Sequence, residues 1–144
     1  MDKSFLRIAF ADDDMDDHLF FFDAVKKTYQ LALINNFFNS ADLLNFFGTE
    51  KNIAPHIIFL DKNMPGNEKY ECLVEIKKTP VLSSIPVIIY STSSHFREIE
   101  DGLRKGATAF ITKPGNMDDT IQVLRDTINE YVPIHFHETI RSAV

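Results

Sequence analysis

Short apolar runs alternate along the chain with longer stretches in which apolar residues recur at helical spacing. Residues 5–11 form the first short run. Asp12 to Asp17 then supply a loop and helix-start acids, and LFFFDAVKKTY predicts a helix to about Tyr29. A weaker strand, LALINNFF, precedes Ser40, which is expected to cap ADLLNFFG, with Gly48 at that helix's end. Pro55 introduces a third strand over 56–60, Tyr70 to Lys78 is helical by composition, and Pro80 stops it. Pro86 opens the fourth strand. Ser94 is expected to cap a helix whose Phe96, Ile99 and Leu103 share one stripe before Gly106. The last strand is 108–112, and Ile121, Leu124, Ile128 and Tyr131 mark one face of a final helix. Five strands alternating with five helices predict a parallel sheet covered on both faces, with right-handed crossovers. No internal repeat, low-complexity tract or domain linker interrupts the pattern.

Composition narrows the function classes. A chain of 144 residues fits one domain that can bury a core without staples. Its net charge of -6 and pI near 5.3 leave no clustered Lys and Arg surface for phosphate contacts, so no nucleic-acid partner is expected. The single cysteine, Cys72, falls in a helical segment and reads as a small buried thiol, not as a disulfide, redox or zinc residue. Without a basic-then-apolar leader or a run long enough to span a bilayer, the expectation is a soluble cytoplasmic protein with no membrane partner.

The chemistry lies at the strand ends. Asp12 and Asp13 close RIAFADD, Asp61 closes HIIFLD, Ser91 closes PVIIYS, and Lys113 follows AFIT. In a parallel sheet these carboxyl ends share one edge, so three carboxylates, a hydroxyl and an ammonium converge in one crevice. A single carboxylate after a strand is often a turn residue or helix cap, but five such coincidences point to a site. Like charges held about 4–8 Å apart repel by roughly 2–4 kcal/mol at an effective dielectric of about 20. One lysine offsets only one of them. A divalent cation is therefore implied, and all-oxygen ligands beside a phosphate favour Mg²⁺.

ADDD at 11–14, DKNMP at 61–65, the Ser91 that ends PVIIYS, and ITKP at 111–114 resemble the response-regulator receiver domain family, over roughly residues 5–131. The likeness is to the single-domain, chemotaxis-regulator type. It implies a flavodoxin-like (βα)5 α/β fold with strand order 2-1-3-4-5 over 1–131, leaving 132–144 as a C-terminal extension. It further implies that Asp61 is the phosphoacceptor of a two-component phosphorelay, charged by a histidine kinase, a histidine phosphotransfer protein or a small phosphodonor. Asp12, Asp13 and Asp61 would hold Mg²⁺ with the backbone carbonyl of Asn63. Lys113 would pair with Asp61 at rest and with a phosphoryl oxygen afterward, and the Ser91 hydroxyl would donate to another. The Lys113–Pro114 bond would be cis. Ser91 and Phe110 would form the switch, and Phe110, with no hydroxyl to hold it toward water, is expected to favour the inward position even at rest. The output would be a downstream target protein, and the chain would not be an enzyme beyond its own phosphorylation and dephosphorylation.

Some residues depart from the family pattern. Lys69 stands where the family commonly has glycine, so a positive φ there would strain it. Lys62 reads as a solvated loop lysine. Asn63 and Ser93 fall at positions that in the family tune phosphoryl hydrolysis. Phe20, Phe21 and Phe22 cannot all face the sheet, because successive helical positions turn by about 100°. In the tail VPIHFHETIRSAV, His135 and His137 have no third ligand nearby, which argues against a metal site. Ile134, Phe136 and Ile140 suggest docking on the domain or on a second copy as a homodimer. Two other readings remain: a haloacid-dehalogenase-type phosphatase, whose DxD motif would need an acid where Asn63 stands, and a receiver-like scaffold that works without phosphorylation.

Overall fold

In a computed structural model, which describes residues 5–93 and 95–133, the alternation runs β1 (Arg7–Ala11), α1 (Met15–Thr28), β2 (Leu33–Phe37), α2 (Ser40–Phe47) and β3 (Ile57–Leu60). After β3 come a 3₁₀ turn (Glu68–Tyr70), α3 (Glu71–Lys78), β4 (Val87–Ser91), α4 (Phe96–Arg104), β5 (Ala109–Thr112) and α5 (Met117–Tyr131). The five strands form one parallel sheet in the order β2-β1-β3-β4-β5, as the resemblance implied. Sequence pattern explains the order. IIFL of β3 and VIIYS of β4 are buried at every residue, as central strands covered on both faces must be, whereas LINNF of β2 and AFIT of β5 are mostly half-exposed at the edges.

The core lies in two layers. On one face of the sheet Ile8, Phe10, Phe59, Ile88 and Tyr90 pack beneath Phe21 and Val25 of α1 and Leu124 and Ile128 of α5. Phe10 and Phe21 stack at 4.0 Å between ring centroids. On the other face Ala9, Ile58, Leu60 and Ile89 meet Leu43 and Phe47 of α2 and Leu73 and Ile76 of α3. Each fully buried side chain of this size stabilises the fold by about 1.5–3 kcal/mol. Only Phe21 of the three consecutive phenylalanines is buried, while Phe20 and Phe22 stay on the surface. Cys72 is fully buried, and burial pushes its thiol up to about 11, leaving it inert at neutral pH.

Local details differ from expectation. The cap of α2 is Asn39, whose Oδ1 accepts the Asp42 N–H at 2.8 Å; Ser40 is the first helical residue, and its N–H donates to the Pro65 carbonyl at 3.1 Å. Ser94 lies outside the described residues, and α4 is capped by His95, whose Nδ1 accepts the Arg97 N–H at 3.3 Å. The apolar stripe of α4 is not its core face. Phe96 is 72% and Leu103 46% exposed, and the one buried residue of the helix is Gly102, where a Cβ would come within 3.1 Å of the Tyr70 ring. Periodicity identified an amphipathic helix, but the bulk of Tyr70 decides which side of it faces inward. His135, His137, Ile134, Phe136 and Ile140 lie outside the described residues. Among the described residues, no helix is long and apolar enough to cross a membrane.

Candidate functional site

The sheet ladder carries the site residues past the strand ends. Asp12 N–H donates to the Phe37 carbonyl at 3.0 Å, Asp61 N–H to the Ala11 carbonyl at 2.9 Å, and Lys113 N–H to the Ser91 carbonyl at 2.8 Å. These bonds place Asp12, Asp61, Ser91 and Lys113 along one carboxyl edge. Asp12, Asp13 and Asp61 each present an oxygen within 4.8 Å of the others, so one ion could be held by all three. Asp12 and Asp61 are buried and Asp13 is exposed, which leaves the cluster open on one side.

Lys113 reaches into this cluster and pairs with the expected Asp61, but its shortest bonds go to two other acids. Its Nζ donates to Asp12 Oδ2 at 2.6 Å and to Asp17 Oδ2 at 2.9 Å, while Asp61 Oδ1 lies 3.9 Å away. Burial would lower the lysine's pKa, but the bonds to Asp12 and Asp17 and the charge of Asp61 prevail and hold it above its ordinary value. Asp12 takes the lysine because its side chain is almost completely shut off from water and needs a charged donor. Each of the two buried acids also receives one backbone N–H, Asp12 from Asp14 at 2.9 Å and Asp61 from Asn63. Burial pushes the pKa of both Asp12 and Asp61 upward against the pull of Lys113, so without a further cation the charged form of each is disfavoured relative to water. The Lys113–Pro114 bond is trans. Trans is the lower-energy form even before proline by about 0.5–1 kcal/mol, and two ion pairs together with the Ser91 hydrogen bond already direct the lysine.

Ser91 is fully buried, and its Oγ accepts the Ser93 N–H at 3.3 Å. Phe110 is half-buried, lies opposite Ile89 in the β4–β5 ladder, and packs against the apolar core on the α2 and α3 side of the sheet. Lys62 is not a free loop lysine. It pairs with Glu98 of α4 at 3.4 Å, and Glu98 also takes the Ser93 hydroxyl, so the loops after β3 and β4 are joined to α4 at the mouth of the site.

Several residues were missed because their roles depend on which groups the folded chain brings against them. Asp17 reads as a helix-start acid and does sit in the first turn of α1, after the cap Asp14. Its carboxylate nonetheless serves Lys113, ninety-six positions away. His18 is buried, with Nε2 2.7 Å from the Asp12 carbonyl and Nδ1 3.0 Å from Asn36 Oδ1, bracing the turn that carries Asp12 and Asp13. Asn67, fully buried, donates from Nδ2 to the Asp61 carbonyl at 2.9 Å and accepts the Cys72 and Leu73 N–H groups at 3.1 and 3.4 Å. It ties the Asp61 peptide to the start of α3. Lys69 and Tyr70 both adopt positive φ, at 55° and 63°, so the loop keeps the turn that glycine would ease and bears the strain in two side-chain-bearing residues.

Many known proteins are similar to this chain in sequence or in fold. The chain is similar to the two-component response regulator ARR6 of Arabidopsis thaliana, 30% identical over 63% of this chain and 48% of that protein. It is also similar to the response regulator Rcp1 of Synechocystis sp., 30% identical over 53% of this chain and 52% of that one. The chain thus spans about half the length of these two relatives. In fold it is similar to the phosphorylated cyanobacterial phytochrome response regulator RcpA, with TM-score 0.78 and 22% identity over 89% of this chain and 94% of that one. The Mn²⁺-bound form of Rcp1 gives TM-score 0.73 and 22% identity over 86% and 92% of the two chains. The model of the response regulator receiver domain matches residues 11–125, the span that holds Asp12, Asp13, Asp61, Ser91 and Lys113, and the chain belongs to that family.

Proposed function

We propose that this chain is a phosphorylation-driven switch in which Asp61 is the phosphoacceptor. The observation that carries this reading is the convergence of Asp12, Asp13 and Asp61 within 4.8 Å, with Lys113 beside them. The donor set is all oxygen, buried on two sides and open on the third, which fits a hard divalent ion that keeps some of its water. Asp12, Asp13, Asp61 and the Asn63 carbonyl would hold Mg²⁺, and the ion would supply charge neutralisation for the transferring phosphoryl group.

The residues of the chain do the rest. An Asp61 carboxylate oxygen attacks the phosphorus of a phosphohistidine on a histidine kinase or histidine phosphotransfer protein. The new P–O bond forms as the P–N bond breaks, and the departing imidazole takes up a proton. Because such transfer passes through a loose transition state, positioning and charge matter most. Lys113, already within 3.9 Å of Asp61, would meet one phosphoryl oxygen, and the Ser91 hydroxyl would turn to donate to another. Phosphorylation adds about -1.5 to -2 charges at the sheet edge. Drawing Ser91 toward them would pull on the Ser93 N–H it now holds and on the Glu98 link beyond, with Phe110 filling the space released. A downstream target protein would read that change. The same carboxylate is returned to its resting state when water hydrolyses the acyl phosphate.

Intact mass after incubation with acetyl phosphate and Mg²⁺ tests the reading. One added phosphoryl group on the wild type and none on Asp61→Asn is expected; equal labelling of both would move the chemistry elsewhere. The haloacid-dehalogenase-type alternative would need an acid at Asn63, and no observation favours it.

A further inference from the structure

We propose that Asp17 is a positioning residue for Lys113, an anchor that holds the ammonium aside when a divalent cation takes Asp12. The proposal rests on the metal reading of the Asp12, Asp13 and Asp61 cluster.

Asp12 faces two competing cations. Its Oδ1 accepts the Asp14 N–H at 2.9 Å and its Oδ2 accepts Lys113 at 2.6 Å, so neither oxygen is idle. A divalent ion drawing on Asp12 therefore shares or displaces the lysine, and the two cations repel across a site shielded from water. If Asp12 were the lysine's sole strong partner, metal binding would have to expel Lys113 from the pocket. It would then be missing when a phosphoryl group arrived.

Asp17 removes that conflict. It binds Lys113 at 2.9 Å from the first turn of α1 and belongs to none of the groups that could share the metal. Its side chain is 41% exposed, so its own charge is hydrated and costs little to keep, whereas that of Lys113 is 11% exposed and needs a partner. Beside the pair lies a cavity of about 220 Å³ lined by Asp17, Phe20, Tyr90 and Lys113, which leaves room for the ammonium to shift from Asp12 toward Asp17. The Tyr90 ring, 5.8 Å from Nζ, bounds that movement from below. Of the three carboxylates that pair with Lys113, Asp12 and Asp61 are ones a metal would claim and Asp17 is not.

Calorimetric titration of Mg²⁺ into the full chain tests this with four proteins: wild type, Asp17→Asn, Lys113→Met and the double variant. In Asp17→Asn the lysine falls back on Asp12 and Asp61, both of which the metal would claim, and Mg²⁺ affinity should drop about five-fold. In the Lys113→Met background no lysine competes, and the same Asp17→Asn change should alter affinity by less than about two-fold. An equal loss in both backgrounds would mean that Asp17 acts only as a distant negative charge, and no loss in either would mean that it does not act; either result overturns the proposal. Wild type that fails to bind Mg²⁺ at all would overturn the metal reading itself. Thermal midpoints of the four metal-free proteins verify folding, and an Asp17→Glu variant, which keeps the carboxylate, should restore wild-type affinity to within about two-fold.

Discussion

The Tyr70 hydroxyl donates to the Glu98 carbonyl at 2.7 Å, joining the loop that follows Asp61 to α4, a helix that buries only Gly102. Because α4 has so little apolar anchorage, this bond and the Lys62–Glu98 and Lys105–Lys69 links hold it. Tyr70→Phe keeps the ring against Gly102 and removes the bond. The expected loss is about 0.5–1.5 kcal/mol by urea denaturation, with faster amide exchange in α4 and no change in α1. Unchanged exchange in α4 would show that apolar contacts alone secure it.

Lys69→Gly should stabilise the protein. A left-handed backbone costs a side-chain-bearing residue about 1–2 kcal/mol, and glycine gives back about half of that through its larger unfolded-state entropy. Lys69 is exposed at φ 55° and contributes its carbonyl, not its side chain, to the link with Lys105. A net gain of about 0.5–1 kcal/mol is expected from urea midpoints; a loss would mean that the lysine side chain stabilises the loop in a way its backbone angle does not reveal.

Asn67→Ala should do the opposite and at larger scale. It leaves the Asp61 carbonyl and the Cys72 and Leu73 N–H groups without their side-chain partner in a fully buried place. About 2–4 kcal/mol of destabilisation is expected, together with slower labelling of Asp61 by acetyl phosphate at a temperature where the variant remains folded. Full-rate labelling would show that the Asp61 loop is held in register by the sheet alone.

Stability should depend on pH with opposite signs in the absence and presence of Mg²⁺. Without metal, the folded-state pKa values of Asp12 and Asp61 lie above the unfolded value of about 3.9. Their contribution is fully present below that value and is lost as pH rises through the raised ones, so urea midpoints should carry a component that falls with pH there and then levels. With saturating Mg²⁺ the carboxylates are held ionised and their pKa values drop below the unfolded one, so the component should instead rise with pH up to about 3.9 and be lost on further acidification. Lys113, raised above its ordinary value of about 10.4, adds stability that is lost only as pH rises through its folded value. Identical acid-side curves with and without Mg²⁺ would argue that the cluster takes no metal. Asp61→Asn should flatten the metal-free dependence in part, leaving the share due to Asp12.

The alternation of apolar runs and helical stripes was enough to specify a parallel sheet covered on both faces. Continuous burial of IIFL and VIIYS forces those runs to the middle, and the polar residues of LINNF are tolerated only at an edge. The carboxyl ends of parallel strands share an edge by geometry, so the sequence also brought Asp12, Asp61, Ser91 and Lys113 together before any coordinates. Which acid receives the lysine was beyond it. That choice depends on burial and on tertiary placement: Asp12, nearly sealed from water, claims Lys113, and Asp17 enters because the first turn of α1 lies within reach of the lysine at the end of β5. The inward side of α4 was likewise decided by the volume of Tyr70 against Gly102, and the trans Lys113–Pro114 bond is compatible with a lysine already directed by two carboxylates. Local pattern determines which elements form and where strand ends fall, because backbone geometry and apolar spacing act over a few residues. Pairing among charges and the choice between two faces of one helix are settled by groups far apart in the chain, whose desolvation and shape exist only once the chain has folded.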